Sequence, residues 1–286
     1  MELLKTREEL QSWVNNRSSR PRALVPTMGA LHQGHASLID AAVKLVDSGD
    51  VLTTIFVNPT QFGPNEDFAS YPRRLEADLT LCESHGSTAV FAPEAYHIYD
   101  SNSSVSIHES KLSRRWCGAS RPGHFDGVCT VVAKLFLLAQ PNTAVFGEKD
   151  FQQLAVIQRL TRDLNFPVEI VGCPTVREAD GLAMSSRNTY LSEEERAAAP
   201  ILHRTLRSVA NDISRGKFPS PEVAREEIIE RISSETLARI DYVDVVDSDS
   251  LEPLDSFDNH LPRLLAAVFF GNIRLIDNVG APQSIR

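Results

Sequence analysis

The chain has 286 residues, 42% of them hydrophobic and 23% charged, which is ordinary for a globular enzyme and long enough for two domains with a substantial core. A formal charge of −9 gives no global basic field, so nucleic acid is not expected as the main partner, whereas an anionic small substrate needs only local cations and N–H donors. The four cysteines, Cys82, Cys117, Cys129 and Cys173, form neither a Cys-x-x-Cys motif nor a paired framework and read as reduced thiols of a cytoplasmic protein.

The opening Met1–Leu10 is charged and amphipathic, without the apolar core of a signal peptide, and no apolar run is long enough to span a membrane. Arg22–Val25 is short and apolar and predicts the end of a buried strand. It runs into Pro26-Thr-Met-Gly-Ala-Leu-His-Gln-Gly-His35, after which Leu38, Ala42 and Leu45, then Ile39, Val43 and Val46, recur at helical spacing. A strand that turns through Gly29 and Gly34 into a helix is expected to leave unpaired N–H groups, which with the helix dipole make an anion site. His32 and His35, three apart, can address one anion from the first helical turn. A His-x-x-His pair also occurs in metal sites, but no Cys, Asp or Glu stands beside it to complete a ligand set. Neither common phosphate-loop pattern is present.

Val51–Val57 predicts a second buried strand, ending at Asn58-Pro-Thr-Gln-Phe62. Ligands of parallel α/β sheets bind off the carboxyl ends of strands, which places Asn58 and Gln61 to face one; Asn-Pro is equally a turn starter. A helix is expected from Tyr71 to His85-Gly86, and a third strand over Thr88–Ala92. Val105–His108 reads as a short strand, Arg121–Gly127 as a turn-rich loop, and Val128–Leu138 as a buried helix. Thr143–Phe146 is the fourth strand, followed by Gly147-Glu-Lys-Asp150, a helix over Phe151–Leu164 and a fifth strand at Val168–Val171. Strands alternating with helices predict a parallel, Rossmann-like sheet over residues 1–175.

The polar stretch from Arg177 to Asn188 marks a boundary near Val176, and residues 176–286 read as a smaller α+β domain. Ser192 with Glu195 has capping-box spacing, Pro200 opens a further helix at its first position, and Ser220-Pro-Glu222 starts another. Ile240–Val246 is a strand, and Leu264–Phe270 with Ile273–Val279 form a hairpin about Gly271-Asn272. No internal repeat is found.

The ten residues from Pro26 to His35 resemble the signature of pantothenate synthetases, a branch of the HxGH nucleotidylyltransferase superfamily. Three further motifs follow in the expected order: Phe56-Val-Asn-Pro-Thr-Gln-Phe62, Phe146-Gly-Glu-Lys-Asp-Phe-Gln-Gln153 and Val176-Arg-Glu-Ala-Asp-Gly-Leu-Ala-Met-Ser-Ser-Arg-Asn188. The likeness runs from about Leu24 to Leu191 and weakens beyond. It implies an AMP-forming ligase that condenses pantoate with β-alanine through an enzyme-bound pantoyl adenylate, with Mg²⁺ accompanying ATP, no tightly bound organic cofactor, and a homodimer as the usual assembly. The protein then positions reactants and stabilises phosphate charge rather than supplying a nucleophile.

Residue by residue, the resemblance makes His32 and His35 phosphate donors, joined by the Met28 N–H, and Lys149 a point charge that follows the α-phosphate. Gly147 and Asp150 match the ribose pair. Gln61 and Gln153 match the pair that binds pantoate, with Pro26 and Met28 beside them. Val176, Met184, Ser185, Ser186 and Arg187 belong to the loop that closes on the phosphates. Asp78 is a candidate for holding Mg²⁺, and Asn58 and Tyr71 for the β-alanine end. Two departures stand out. Ala183-Met-Ser-Ser-Arg187 replaces the Lys-Met-Ser-Lys-Ser of the wider superfamily, so one cation serves for two, and Asp126 stands where some members have Arg. The alternatives are a nucleotidylyltransferase that keeps the nucleotide on its product, and a nucleotide-binding module without catalysis.

Overall fold

The structure, a computed structural model, describes residues 1–64 and 66–282. The chain divides into two compact units: Met1–Glu148 with Gln152–Pro174, and Lys149–Phe151 with Thr175–Arg286.

The first unit carries β1 (Glu2–Leu4), α1 (Arg7–Asn15), β2 (Arg22–Thr27), α2 (Gln33–Val46), β3 (Asp50–Ile55), α3 (Leu75–Ser84), β4 (Ala89–Phe91), α4 (Ala95–Ile98), α5 (Cys117–Ser120), α6 (His124–Ala139), β5 (Thr143–Gly147), α7 (Phe151–Asp163, its first residue grouped with the second unit) and β6 (Glu169–Cys173). The strands form one parallel sheet in the order β1-β4-β3-β2-β5-β6. The order reverses direction at β2, between β3 on one side and β5 on the other. Ligands of open parallel sheets bind at such a switch point, off the carboxyl ends of the strands.

The β2 and β3 runs are apolar or β-branched because both faces of a central parallel strand are covered, and Ala23, Leu24, Val25, Val51 and Leu52 are buried. α2 lays Leu38, Ile39, Ala42 and Val46 on Ala23, Val25, Val51, Val90 and Val145; each such large aliphatic side chain contributes about 1.5–3 kcal/mol by leaving water. Leu45, expected on this stripe, is 48% exposed.

Several local expectations are corrected. α2 begins at Gln33, so His35 lies in its first turn while His32 is the N-cap just outside it. α3 begins at Leu75 rather than Tyr71, since Tyr71 precedes Pro72 and is biased away from helix; its ring packs edge-on against Phe62. α6 begins at His124, inside the stretch expected to be a loop, after Gly123 at φ +81°. No strand forms at Val105–His108, where the Ile107 N–H bonds the Thr130 hydroxyl at 2.9 Å instead of a neighbouring strand. The first residues add an edge strand, β1, on β4, followed by α1, which opens on the capping box of Thr6 and Glu9.

The second unit contains α8 (Glu193–Ala198), α9 (Ile201–Ser214), α10 (Pro221–Ser233) and an antiparallel sheet of β7 (Ala238–Asp247), β8 (Pro262–Phe270) and β9 (Ile273–Gly280) in the order β7-β8-β9. The Ser192/Glu195 capping box forms, Pro200 is the N-cap rather than the first turn of α9, and Gly271 takes φ +56° in the β8–β9 turn. Leu202, Leu206 and Val209 of α9 and Ile228 and Ile232 of α10 bury against Val243, Leu264, Val268 and Phe270.

Candidate active site

At the carboxyl end of β2 the chain turns through Gly29 (φ +83°) and Ala30 (φ +51°). The turn is tied down from below. The Thr27 hydroxyl donates to the Thr54 carbonyl (2.5 Å) and accepts from the Gly29 N–H (3.2 Å). Asp78, 3% exposed, accepts from the N–H groups of Ala30 (2.9 Å) and Leu31 (2.8 Å). Burial raises the Asp78 carboxyl above its ordinary range, even though these two bonds favour its ionised form. A Cβ at Gly29 would meet the Asp78 carboxylate and Ile55 at 3.0–3.1 Å, so glycine suits both the dihedral and the space.

The donors expected to stand open at this turn are therefore largely used within the protein. The Gly34 N–H donates to His32 Nδ1 (3.1 Å), the His32 N–H to His35 Nδ1 (3.3 Å), and the His35 N–H to the His32 carbonyl (2.8 Å). This is a capping box made of two histidines. Of the N–H groups from Met28 to Leu31, only that of Met28 has no protein acceptor among the described residues. A ring nitrogen that accepts carries no proton, so each neutral imidazole holds its proton on Nε2 and offers an N–H donor there. The half-buried rings lie 4.2 Å apart, centroid to centroid, at the positive end of α2. What the turn can offer an anion is thus ring N–H groups and the helix dipole more than loop amides.

Beside it, past the end of β3, Pro59–Gln61 forms a single 3₁₀ turn capped by Asn58. Asn58 is 1% exposed and its amide is fully used: Oδ1 accepts from the Thr60 N–H (3.3 Å), the Thr60 hydroxyl (2.9 Å) and the Tyr99 hydroxyl (2.9 Å), while Nδ2 donates to the Gly127 carbonyl (3.2 Å) and Gln61 Oε1 (3.1 Å). Gln61 Nε2 lies 3.0 Å from Met28 Sδ. The Gln61 carbonyl accepts from His124 Nδ1 (2.8 Å) and Arg121 Nη2 (3.3 Å). Burial works to raise the Glu66 carboxyl, but its paired hydrogen bonds with Arg121, 2.7 and 2.5 Å, hold it below its ordinary value.

After β5, Glu148–Asp150 forms another 3₁₀ turn. A Cβ at Gly147 would meet nothing within 4 Å. Gln153 is half-buried on α7, whereas its neighbour Gln152 is buried and holds the 112–117 segment, accepting from the Cys117 N–H and donating to the carbonyls of Leu112 and Arg115. Within the second unit, Lys149 keeps its carbonyl on Asn278 Nδ2 (3.0 Å), and its ammonium lies 3.9 Å from the Asp150 carboxylate.

The segment from Val176 to Asn188 is hydrogen-bonded throughout. Arg177 and Ala183 form a bridge, the Met184 N–H donates to the Val176 carbonyl (3.0 Å), and Gly181 turns at φ +93°. The Arg177 guanidinium grips Asp277 of β9 with two bonds, 2.8 and 2.9 Å, and His203 Nδ1 approaches the same carboxylate to 3.3 Å. Burial opposes ionisation of Asp277, but the His203 ring and the Arg177 guanidinium beside it outweigh that and its carboxyl is lowered. Ser185 caps the 3₁₀ turn Ser186–Tyr190 that carries Arg187, its hydroxyl accepting from the Arg187 N–H (3.2 Å).

The first unit thus brings Met28, His32, His35, Asn58, Gln61 and Gln153 to the carboxyl ends of β2, β3 and β5, with Pro26 in β2 below them. Tyr71 lies in an aromatic cluster with Phe62 and Phe68. Asp78 sits beneath the Gly29–Leu31 turn with both oxygens engaged, so it does not present itself as a direct metal ligand. No group of three or more His, Cys, Asp or Glu side chains able to hold a metal ion occurs among the described residues. Sequence reasoning missed Arg121, His124, Glu66, Tyr99 and Asp277. Their partners stand 41 to 100 residues away, and the only local hint was Arg-Pro-Gly-His at 121–124.

Comparison with known proteins points one way. The Pantoate-beta-alanine ligase family model matches residues 2–280. The chain is 51% identical over 255 residues to the pantothenate synthetase of Clostridioides difficile (strain 630), covering 89% of each chain. It is 49% identical over 281 residues to that of Moorella thermoacetica (strain ATCC 39073 / JCM 9320), covering 98% of each. Among solved structures, pantothenate synthetase from Thermus thermophilus superposes with a TM-score of 0.90 at 43% identity, covering 98% of this chain and 99% of that one. Pantoate-beta-alanine ligase from Francisella tularensis, complexed with beta-gamma ATP and beta-alanine, gives 0.79 at 33% identity over 98% and 97% of the two chains.

Proposed function

This chain belongs to the pantoate-beta-alanine ligase family, and on that premise we propose that it joins pantoate to β-alanine in two half-reactions on one ATP. In the first, a pantoate carboxylate oxygen attacks the α-phosphorus, the bond to the β-phosphate breaks, and pyrophosphate leaves. In the second, the β-alanine nitrogen attacks the acyl carbon, the acyl–oxygen bond to the phosphate breaks, AMP leaves, and the nitrogen sheds its proton to solvent. The relative from Francisella tularensis, a complex with an ATP species and β-alanine, supports this choice of substrates.

The observation that carries the reading is the reciprocal cap of His32 and His35, which uses both Nδ1 atoms and so places both ring protons on Nε2 at the start of α2. Donors fixed before the reaction stabilise developing phosphate charge without reorganising. Lys149 adds a mobile positive charge, and Ser185, Ser186 and Arg187, with Val176 and Met184 below them, supply the loop for the β- and γ-phosphates. Asp150 accepts from the ribose hydroxyls. The open space at Gly147 supports the ribose assignment, because the fold itself does not demand glycine there. Gln61, Gln153, Pro26 and Met28 take pantoate. Asn58 and Tyr71 act behind the acyl end, and Mg²⁺ arrives with ATP as part of the substrate. A cytoplasmic homodimer completes the proposal, and light scattering tests the dimer.

The deciding experiment is pantoate-dependent exchange of labelled pyrophosphate into ATP, without β-alanine. Exchange that requires pantoate and Mg²⁺ establishes the adenylate. Folded protein that turns over ATP, pantoate and β-alanine but shows no exchange overturns the two-step route.

A further inference from the structure

The side chains behind Gln61 form a chain of hydrogen bonds whose polarity is determined at every link. The Arg121 guanidinium has no acceptor, so His124 Nε2, 3.0 Å from Arg121 Nη1, must accept. His124 therefore carries its proton on Nδ1, which points at the Gln61 carbonyl 2.8 Å away. Arg121 is itself held by two bonds to Glu66, and its Nη2 also reaches the Gln61 carbonyl. From the other side, three donors converge on Asn58 Oδ1, which forces Asn58 Nδ2 toward Gln61 and makes Oε1 the Gln61 atom that faces it. The backbone of Gln61 is pinned by two donors and its side-chain amide is oriented by a third. What Gln61 turns toward Met28 and the carboxyl end of β2 is its NH₂ group.

We propose that His124 is a positioning residue for the acyl-acid subsite: held as an Nδ1–H donor by Arg121 and Glu66, it fixes Gln61 as an obligate hydrogen-bond donor that selects a substrate oxygen acceptor, a hydroxyl or carboxylate oxygen of the acid. The proposal rests on the assignment of pantoate to Gln61 and adds the groups that set the polarity and position of that contact. It predicts a defect confined to the acid substrate, because the His124 bonds that carry the argument run to Gln61 and Arg121.

The test is pantoate-dependent pyrophosphate exchange, with pantoate and ATP varied in turn. Leu replaces the ring without a donor, whereas Asn places an amide N–H near the position of Nδ1. His124→Leu is expected to raise the KM for pantoate by roughly tenfold, the size of one lost hydrogen bond to a buried carbonyl, with the KM for ATP within about twofold of the parent. His124→Asn is expected to restore the pantoate KM to within about threefold. Glu66→Gln, which loosens Arg121 without opening the core, is expected to raise the pantoate KM alone and decides the matter should His124→Leu fail to fold. An unchanged pantoate KM in His124→Leu or, in that case, in Glu66→Gln, an equal rise in both KM values, or no rescue by Asn overturns the proposal while leaving the ligase reading intact. If the parent protein shows no pantoate-dependent exchange, the functional reading fails and this proposal falls with it.

Discussion

His32 and His35 each accept a backbone N–H at Nδ1, from Gly34 and His32 respectively, so the first turn of α2 sets the tautomer of both rings. The same bonds that cap the helix aim the Nε2–H groups. Structure and the proposed chemistry can be separated here, because Nδ1 of each ring caps the helix whereas Nε2 is the proposed phosphate donor.

Substituting His35 by Asn keeps an acceptor near the position of Nδ1 and deletes the donor at Nε2. The cap then persists, and stability is expected to change by about 1 kcal/mol or less, well within what a lost cap costs. The first half-reaction is expected to slow more than tenfold, as when a single transition-state donor is removed. Urea unfolding and exchange kinetics measured on one preparation check both halves. A variant that keeps its exchange rate would remove His35 from the phosphate site.

Lys149→Ala tests the other cation. The Lys149 side chain is 23% exposed and its ammonium makes only a long contact, 3.9 Å, with the Asp150 carboxylate, so its structural role is small. The loss in stability is expected to be below about 1 kcal/mol. Adenylate formation is expected to disappear while the thermal transition stays in place. Near-normal turnover in this variant would sink the proposed mechanism.

Gly127→Ala acts through packing. A Cβ at this position of α6 would stand 2.5 Å from the Thr60 carbonyl and 2.7 Å from the Gln61 nitrogen, and the displaced atoms belong to backbone that cannot simply rotate away. Overpacking of this kind costs about 1–3 kcal/mol. Because the displaced turn carries Gln61, the KM for pantoate is expected to rise more than that for ATP. Steady-state kinetics with each substrate varied in turn give the comparison.

What the sequence made legible, and what it did not, follows from the range of the interactions. The strand–turn–helix at residues 22–46 was readable because glycine placement and helical spacing are local. The fate of its N–H groups was not, because their acceptor, Asp78, lies 47 and 48 residues on. Of two adjacent glutamines the resemblance singled out Gln153, while the separate task of its neighbour was out of sight. Gln152 has its amide satisfied by Leu112, Arg115 and Cys117, which leaves Gln153 as the half-buried one. Arg121–Gly127 looked like a loop because its proline and two glycines signal turns. Its function in the fold is to carry Arg121 and His124 to Gln61, sixty and sixty-three residues back. Lys149–Phe151 groups with the second unit through Asn278 and through Arg263 stacked over Phe151 at 3.7 Å, which no single cut in the chain describes.

Asp277 provides a pH-dependent test of how the Val176–Asn188 segment is held. Its folded-state carboxyl is lowered: burial opposes the charge, but the nearby His203 ring and the paired bonds from Arg177 outweigh it. A lowered carboxyl binds fewer protons folded than unfolded, so its contribution to stability is present above the ordinary carboxylate value near 4 and is lost as pH falls through the depressed value. Asp277→Asn removes the charge and leaves the partly exposed Arg177 guanidinium without its counter-ion, the loss of a charged hydrogen-bonded pair that costs about 1–3 kcal/mol at neutral pH. The difference between parent and variant is expected to shrink steadily as pH drops below about 4. Urea unfolding at a series of pH values measures it. A gap that stays constant down to the acid limit would mean that Asp277 acts through its shape and hydrogen bonds rather than its charge, and that the Arg177 ion pair does not anchor the segment carrying Ser185, Ser186 and Arg187.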